Sequence, residues 1–109
     1  MRSFLSRDDA MGNPSMVIAP SDTAFAIVLA PGVPKQITAP GAAETVLFNA
    51  TGPFWCKIGG PAVLPANDVL DGSAPELNPV ARQVRPNGVI GLVAPAAVTV
   101  SLVFYGAAA

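Results

Sequence analysis

The sequence contains no histidine and only one cysteine. Histidine is the commonest general base and metal ligand, so its absence excludes Ser-His and Cys-His nucleophile pairs and histidine-based metal clusters. The carboxylates of Asp68, Asp71 and Glu76 lack the ligand spacing of a calcium-binding loop. A single cysteine, Cys56, excludes an intrachain disulfide and, within a strand-like run, predicts a buried thiol. The residues predict no enzyme activity, no cofactor and no metal site.

Charged residues are also scarce: they make up 12% of the 109 residues, against roughly 25% in typical soluble domains. Six basic and seven acidic side chains give a net charge of −1, with no basic stripe that would indicate nucleic-acid binding. The sequence shows neither a secretory leader nor the roughly 20 apolar residues needed to cross a bilayer. We therefore expect no nucleic-acid or membrane partner, and a protein kept in a cytoplasm or in a particle assembled there.

The charges are unevenly placed. Five of the thirteen lie in the first 22 residues, and none lies from Pro86 to Ala109. One interpretation is that the uncharged segment is a buried hairpin of an ordinary domain. The other, which we favour, is that part of this surface meets another chain, because the cores of protein interfaces are depleted in charge. The second interpretation predicts a homo-oligomer or a larger assembly.

Residues 1–21 differ in character from the rest of the chain. They mix charges with turn-forming residues and keep no regular period, which predicts an extended N-terminal arm with a short helical turn near Ser6 to Met11. A disordered terminus is the alternative. The arm carries more apolar side chains than a solvated tail needs, and these are candidate partner contacts: Phe4, Leu5, Met11, Met16, Val17 and Ile18.

From residue 22 to residue 109, short runs rich in Val, Ile, Phe and Thr alternate with Pro and Gly turns. This pattern is typical of an all-β domain. We predict an antiparallel β-sandwich of about seven strands, with Ig-like and jelly-roll topologies both open. The predicted strands span 24–30, 34–39, 44–50, 54–58, 81–84, 89–94 and 98–105, with a long structured connection from 62 to 87.

The last predicted strand, Val98 to Tyr105, has the clearest alternation. Its apolar set Val98, Val100, Leu102 and Phe104 is predicted to face the core, and Pro95 to Ala97 is predicted to join it to the preceding strand as a hairpin.

Three further residues are candidate partner contacts. Trp55 is either a half-buried core residue or an anchor for a sugar or protein ligand. Arg82 and Arg85 are candidates for polar contacts at the rim of an interface.

Three segments carry a resemblance to a known class of proteins. They are APGAAETVLFNATGPFWCKIGG, the Pro-rich DGSAPELNPVARQV and the terminal GVIGLVAPAAVTVSLVFYG. In strand layout, turn style and composition, residues from about Asp22 to Gly106 resemble small structural proteins of tailed bacteriophages. These are typically β-sandwich or jelly-roll decoration (cementing) proteins on the capsid exterior.

The resemblance implies a non-enzymatic virion protein, assembled in the host cytoplasm, that stabilises the head by binding between capsomers. Its partner would be the major capsid protein or another virion protein. A neck, tail or fibre-base component fits the same layout. A module that binds a peptide or glycan through Trp55 and the connection from 62 to 87 also stays open.

Overall fold

The structure is a computed structural model that describes Met1, residues 6–8 and 14–18, and residues 20–106; for 6–8 and 14–18 only the backbone is described. These residues contain ten strands and no helix. The strands are β1 (Ser6–Asp8), β2 (Pro14–Ile18), β3 (Thr23–Leu29), β4 (Lys35–Thr38), β5 (Ala43–Ala50), β6 (Trp55–Ile58), β7 (Glu76–Leu77), β8 (Ala81–Gln83), β9 (Val89–Val93) and β10 (Val98–Gly106).

Strands β3 to β10 pair as though the chain were folded in half. β3 pairs with β10, β4 with β9, β5 with β8, and β6 with β7, all antiparallel. Two more pairings, β10 with β5 and β9 with β6, join these pairs into two four-stranded sheets. The first sheet has the order β3-β10-β5-β8 and the second has the order β4-β9-β6-β7. Nested antiparallel pairs wrapped into two sheets are the topology of a jelly roll.

The prediction of an all-β antiparallel sandwich is therefore confirmed, and the strand order selects the jelly roll. The two sheets contain eight strands, against about seven predicted. The additional strand is β7, whose two residues, Glu76 and Leu77, are too few to show an alternating pattern.

The first two strands form a separate two-stranded sheet, in which β1 pairs with β2. Ser6 therefore begins a strand and not the predicted helical turn; the remainder of that predicted turn, to Met11, lies outside the described residues. The division into an arm of residues 1–21 and a domain of residues 22–109 stays a prediction.

The predicted hairpin between the last two strands is wrong. β9 lies in the second sheet between β4 and β6, whereas β10 lies in the first sheet between β3 and β5. Pro95 to Ala97 therefore crosses from one sheet to the other. Both strands have an apolar inward face, and the crossover lets these faces meet across the core.

The core lies between the two sheets and is centred on β10. Val98, Val100, Leu102 and Phe104 are buried, while Thr99 and Ser101 between them are exposed, so the predicted inward face is confirmed. The first sheet adds Leu29 of β3 and Val46 and Phe48 of β5, and the second adds Cys56, Ile90 and Leu92. The rings of Phe25 and Phe104 meet edge to face with centroids 4.9 Å apart.

Cys56 is one of these core residues. It points inward from β6 opposite Leu92 and is buried. Burial raises the pKa of the Cys56 thiol to about 12, and the nearby Glu76 carboxylate adds to the shift. Because the thiolate is the reactive form, the thiol is both shielded and chemically inert at neutral pH.

A first prediction concerns the stability of this core. Phe104 is 0% exposed, so Phe104→Ala should lower the free energy of unfolding by about 3–5 kcal/mol in urea titrations. Ser101→Ala, on the exposed face of the same strand, is the matched control and should change it by less than about 0.5 kcal/mol. Similar losses in the two variants would show that the inward face of β10 is assigned incorrectly.

A second prediction concerns Cys56. With a pKa of about 12, only about one thiol in 10,000 is ionised at pH 8. An aromatic disulfide reagent should therefore label the native protein far more slowly than it labels glutathione, and should label it fully once guanidinium chloride has unfolded it. Labelling of the native protein at the rate of the unfolded chain would contradict the burial of Cys56.

Candidate functional site

The outer face of the first sheet, on the side away from the core, carries no charged side chain along its four described strands. Because side chains alternate along a strand, the pairing registers place eleven exposed or half-buried residues on this face. We call this set the neutral face: Ala24, Ala26 and Val28 of β3, Thr99, Ser101 and Val103 of β10, Thr45, Leu47 and Asn49 of β5, and Ala81 and Gln83 of β8.

The second sheet is covered differently. The connection from residue 59 to residue 75 passes over its outer face at β9, where a Cβ on Gly91 would lie 2.3 Å from the Gly60 carbonyl oxygen and 2.6 Å from the Ala62 nitrogen. Gly91 is thus required for this close approach. Val93, also on this face, is only 1% exposed. The chain itself covers this outer face at its β9 strand. On the first sheet, Tyr105 of β10 shares the outer side with Val103 and is only 4% exposed, so that side is covered at this end, whereas the residues of the neutral face are exposed or half-buried.

Two cationic side chains bridge the lateral edges of the sandwich. At one edge, Arg82 Nε of β8 lies 2.6 Å from Glu76 Oε2 of β7, which links the two sheets. At the other edge, Lys35 Nζ of β4 donates a 2.7 Å hydrogen bond to the Val28 carbonyl oxygen of β3. An exposed ion pair such as Arg82–Glu76 contributes roughly 0–1 kcal/mol. Both cationic groups lie at the edges of the sandwich and not on the neutral face.

A groove of about 640 Å³ opens at one end of the sandwich. Ile58, Val84 and Val89 contribute apolar surface, and Glu44 and Arg85 are its two charged lining residues. Ile58 points inward opposite Ile90, yet it is 37% exposed, so the apolar interior is open here. Within the described part of the chain, neither the Glu44 carboxylate nor the Arg85 guanidinium has an ion-pair or hydrogen-bond partner.

The candidate contacts predicted from the sequence lie on separate surfaces. Trp55 is half-buried on the outer face of the second sheet, beside Val93 and Leu77. Arg82 binds Glu76 at the sandwich edge, so its charge is already used within its own domain. Arg85 lines the groove, which the sequence analysis did not identify.

The candidate contacts of the arm are only partly described. Met16, Val17 and Ile18 lie in β2, where the backbone alone is described, and Phe4, Leu5 and Met11 lie outside the described residues. Met1 is described: its side chain packs against the core cluster, and its amino group lies 3.7 Å from Asp22 Oδ1.

The sequence already contained a signal for the neutral face, because Thr99, Ser101 and Val103 alternate with the inward residues of β10. It contained no comparable signal for the groove. The run from Phe54 to Ile58 predicts the inward direction of Ile58 but not the opening between the sheets beside it.

No arrangement of side chains in the described ranges indicates a catalytic or metal-binding site. They hold no cluster of three or more Cys, Asp or Glu side chains suited to a metal ion, and no helix that could cross a membrane. No buried side-chain nitrogen or oxygen among them lacks a hydrogen-bond partner. Comparisons of the chain with protein-family models, with curated proteins and with solved structures gave no match.

Proposed function

We propose that this chain is a non-enzymatic structural protein of a bacteriophage virion that decorates the capsid and stabilises the head by binding between capsomers. The observation that carries the proposal is the neutral face: an ordered, four-stranded surface without charge in a chain that has few charges to place. It adds to the resemblance of residues 22–106 to phage decoration proteins in strand layout and composition.

A surface of this kind suits attachment to another protein. Its three alanines, two threonines and one serine are short, so a flat partner surface can approach the sheet closely. No charge has to be desolvated when the face is covered, and desolvation of charge is a major cost of association. Because the sheet is held by a packed core on its other side, the face is formed before binding and little conformational entropy is lost.

The size of the face indicates that it does not act alone. Its strands have seven, nine, eight and three residues, which at strand spacings of about 4.8 Å and a rise of about 3.3 Å cover about 430 Å². A standard interface takes about 800 Å² from each partner. The arm, with its six apolar side chains, is the proposed second contact, ordered against adjacent subunits in the assembled particle.

One observation favours a second candidate function. Trp55 is only half-buried, and Leu77, opposite it in the register, is 52% exposed, so the two form an apolar surface beside the connection from 62 to 75. Such a surface fits a module that binds a peptide or glycan. Binding to a glycan or peptide array that is lost in Trp55→Ala, without any binding to particles, would favour this function; a neck, tail or fibre-base position would be recognised by imaging the labelled virion.

A third prediction tests the neutral face. Ser101 lies at its centre, between Ala26 and Asn49 in the registers. Ser101→Arg should weaken co-sedimentation with capsids that lack the protein by at least about tenfold, because an unpaired charge would be buried at the contact. Thr38→Arg, exposed on β4 of the other sheet, is the matched control and should bind as the unchanged protein does. Full binding by Ser101→Arg would remove the support for this face.

A fourth prediction tests the arm. Deleting residues 1–20 should leave the β-sandwich folded, because both four-stranded sheets and the buried core lie within residues 23–106; losing the partly buried Met1 side chain should lower the stability without preventing folding. The truncated protein should lose in direct competition with the full-length protein for sites on the capsid. Equal occupancy of the two forms would show that the arm makes no contact there.

A further inference from the structure

The connection from residue 59 to residue 75 presents one leucine to solvent. Leu70 is 91% exposed, the largest exposure among the large hydrophobic residues described, and Val69 beside it is 40% exposed. Exposing a whole leucine side chain is unfavourable by roughly 1.5–3 kcal/mol relative to burial. We call Asp68 to Asp71 the tip.

The tip is ordered by its own hydrogen bonds. The Asp71 carboxylate accepts hydrogen bonds from the Ser73 hydroxyl at 2.6 Å and from the Ser73 backbone N–H at 3.0 Å, which lowers the pKa of Asp71 below its usual range. Gly72 has a φ of +89°, which other residues rarely adopt. Lys57 Nζ donates to the Ser73 carbonyl oxygen at 3.0 Å and fastens the turn to β6. Leu70 is therefore held outward by a turn that is already formed.

The groove has the shape and the apolar lining to receive such a tip. It is concave, it is lined by apolar side chains that include the inward-facing Ile58, and its volume of about 640 Å³ lies in the usual range for sites that enclose a ligand. Two adjacent apolar side chains, such as Val69 and Leu70, fit within that volume. Covering Ile58 would complete the apolar contacts at the open end of the core.

We propose that the tip of one copy of this chain docks into the groove of a second copy, with Leu70 as the buried anchor. Opposite charges lie beside the two apolar surfaces. Asp68, at the start of the tip, and Arg85, in the groove, each have no ionic partner in the described part of the chain. Asp71, at the other end of the tip, is held by Ser73, and the second charge of the groove, Glu44, would meet Lys57, whose Nζ binds the Ser73 carbonyl oxygen.

The geometry of this contact is head-to-tail, because tip and groove are different surfaces of the same chain. In an open series, one end copy therefore keeps a free tip and the other end copy keeps a free groove. Contacts of this type produce rings when the rotation between copies closes and filaments when it does not. The tip-and-groove contact does not rest on the proposed virion role, because it does not involve the neutral face and is tested on the purified protein alone.

The test is sedimentation velocity of the full chain over a range of concentrations. The unchanged protein should associate beyond a monomer, and Leu70→Asp and Arg85→Asp should each weaken that association at least about tenfold while unfolding at a normal temperature. Val63→Asp, at a valine of the same connection that is 68% exposed, is the matched control for an added charge. Ser101→Arg is the control for the neutral face.

Mixing the two defective variants gives the sharpest result. Leu70→Asp keeps an intact groove and Arg85→Asp keeps an intact tip, so the mixture should form a one-to-one complex that neither variant forms alone. Combining Asp68→Arg with Arg85→Asp in one chain should restore association, because the ion pair is reversed and not removed.

The proposal is overturned if the unchanged protein stays monomeric, if Leu70→Asp associates normally, or if the mixture forms no complex. It is also overturned if Ser101→Arg abolishes self-association, since copies would then meet through the neutral face. Failure of the virion role is a separate result. If none of the variants loses capsid binding, the virion role is not supported, and the tip-and-groove contact is still judged on the sedimentation data.

Discussion

The packing of β10 between β3 and β5, with its inward side chains against β9, is the constraint on which the other features depend. β10 pairs along its length with both neighbours, and it supplies Val100, Leu102 and Phe104 to the core. Because side chains in a strand alternate with a period of two, burying this set forces Thr99 and Ser101 to the opposite side. The neutral face is thus fixed by the same register that forms the core. A shift by one residue would expose Phe104 and bury Ser101.

The wrapped topology explains why the two sheets differ. In the nested pairing, the bend between β6 and β7 is the innermost turn, and it carries the long connection from 59 to 75. That connection lies over the second sheet because Gly91 leaves room for it, and Lys57 holds its far end. Within residues 20–106, the other connections between strands have at most five residues. One connection therefore both covers the second sheet at β9 and presents Leu70, while the neutral face stays exposed among the described residues.

Sequence alternation predicted the all-β class, most strand positions and the inward face of β10, because these depend on residues close together in the chain. It failed wherever the answer depends on distant segments. Two apolar runs joined by Pro95 to Ala97 look alike whether they pair side by side or face each other across a core. Arg82 looked available to a partner because Glu76, its ion-pair partner, lies on a strand of two residues that carries no pattern. The groove forms where three separate segments diverge at one end of the sandwich, and the sequence of any one of these segments does not predict it.

The placement of the few charges connects the fold with the proposed roles. Arg82 and Glu76 close one edge of the sandwich and Lys35 closes the other, so long charged side chains stand at the open strand edges, where they hinder unwanted pairing of strands. This arrangement keeps the charges at the edges and off the neutral face, which is the surface that we propose for association. Face-to-face contact there needs shape complementarity but fixes orientation weakly, because the face carries no charge. In the proposed docking of the tip into the groove, the pairing of Asp68 with Arg85 beside the Leu70 anchor would supply the directional information that the neutral face lacks. The proposed role on a repeating capsid surface would use both kinds of contact, and the two proposed contacts lie on different parts of one small sandwich.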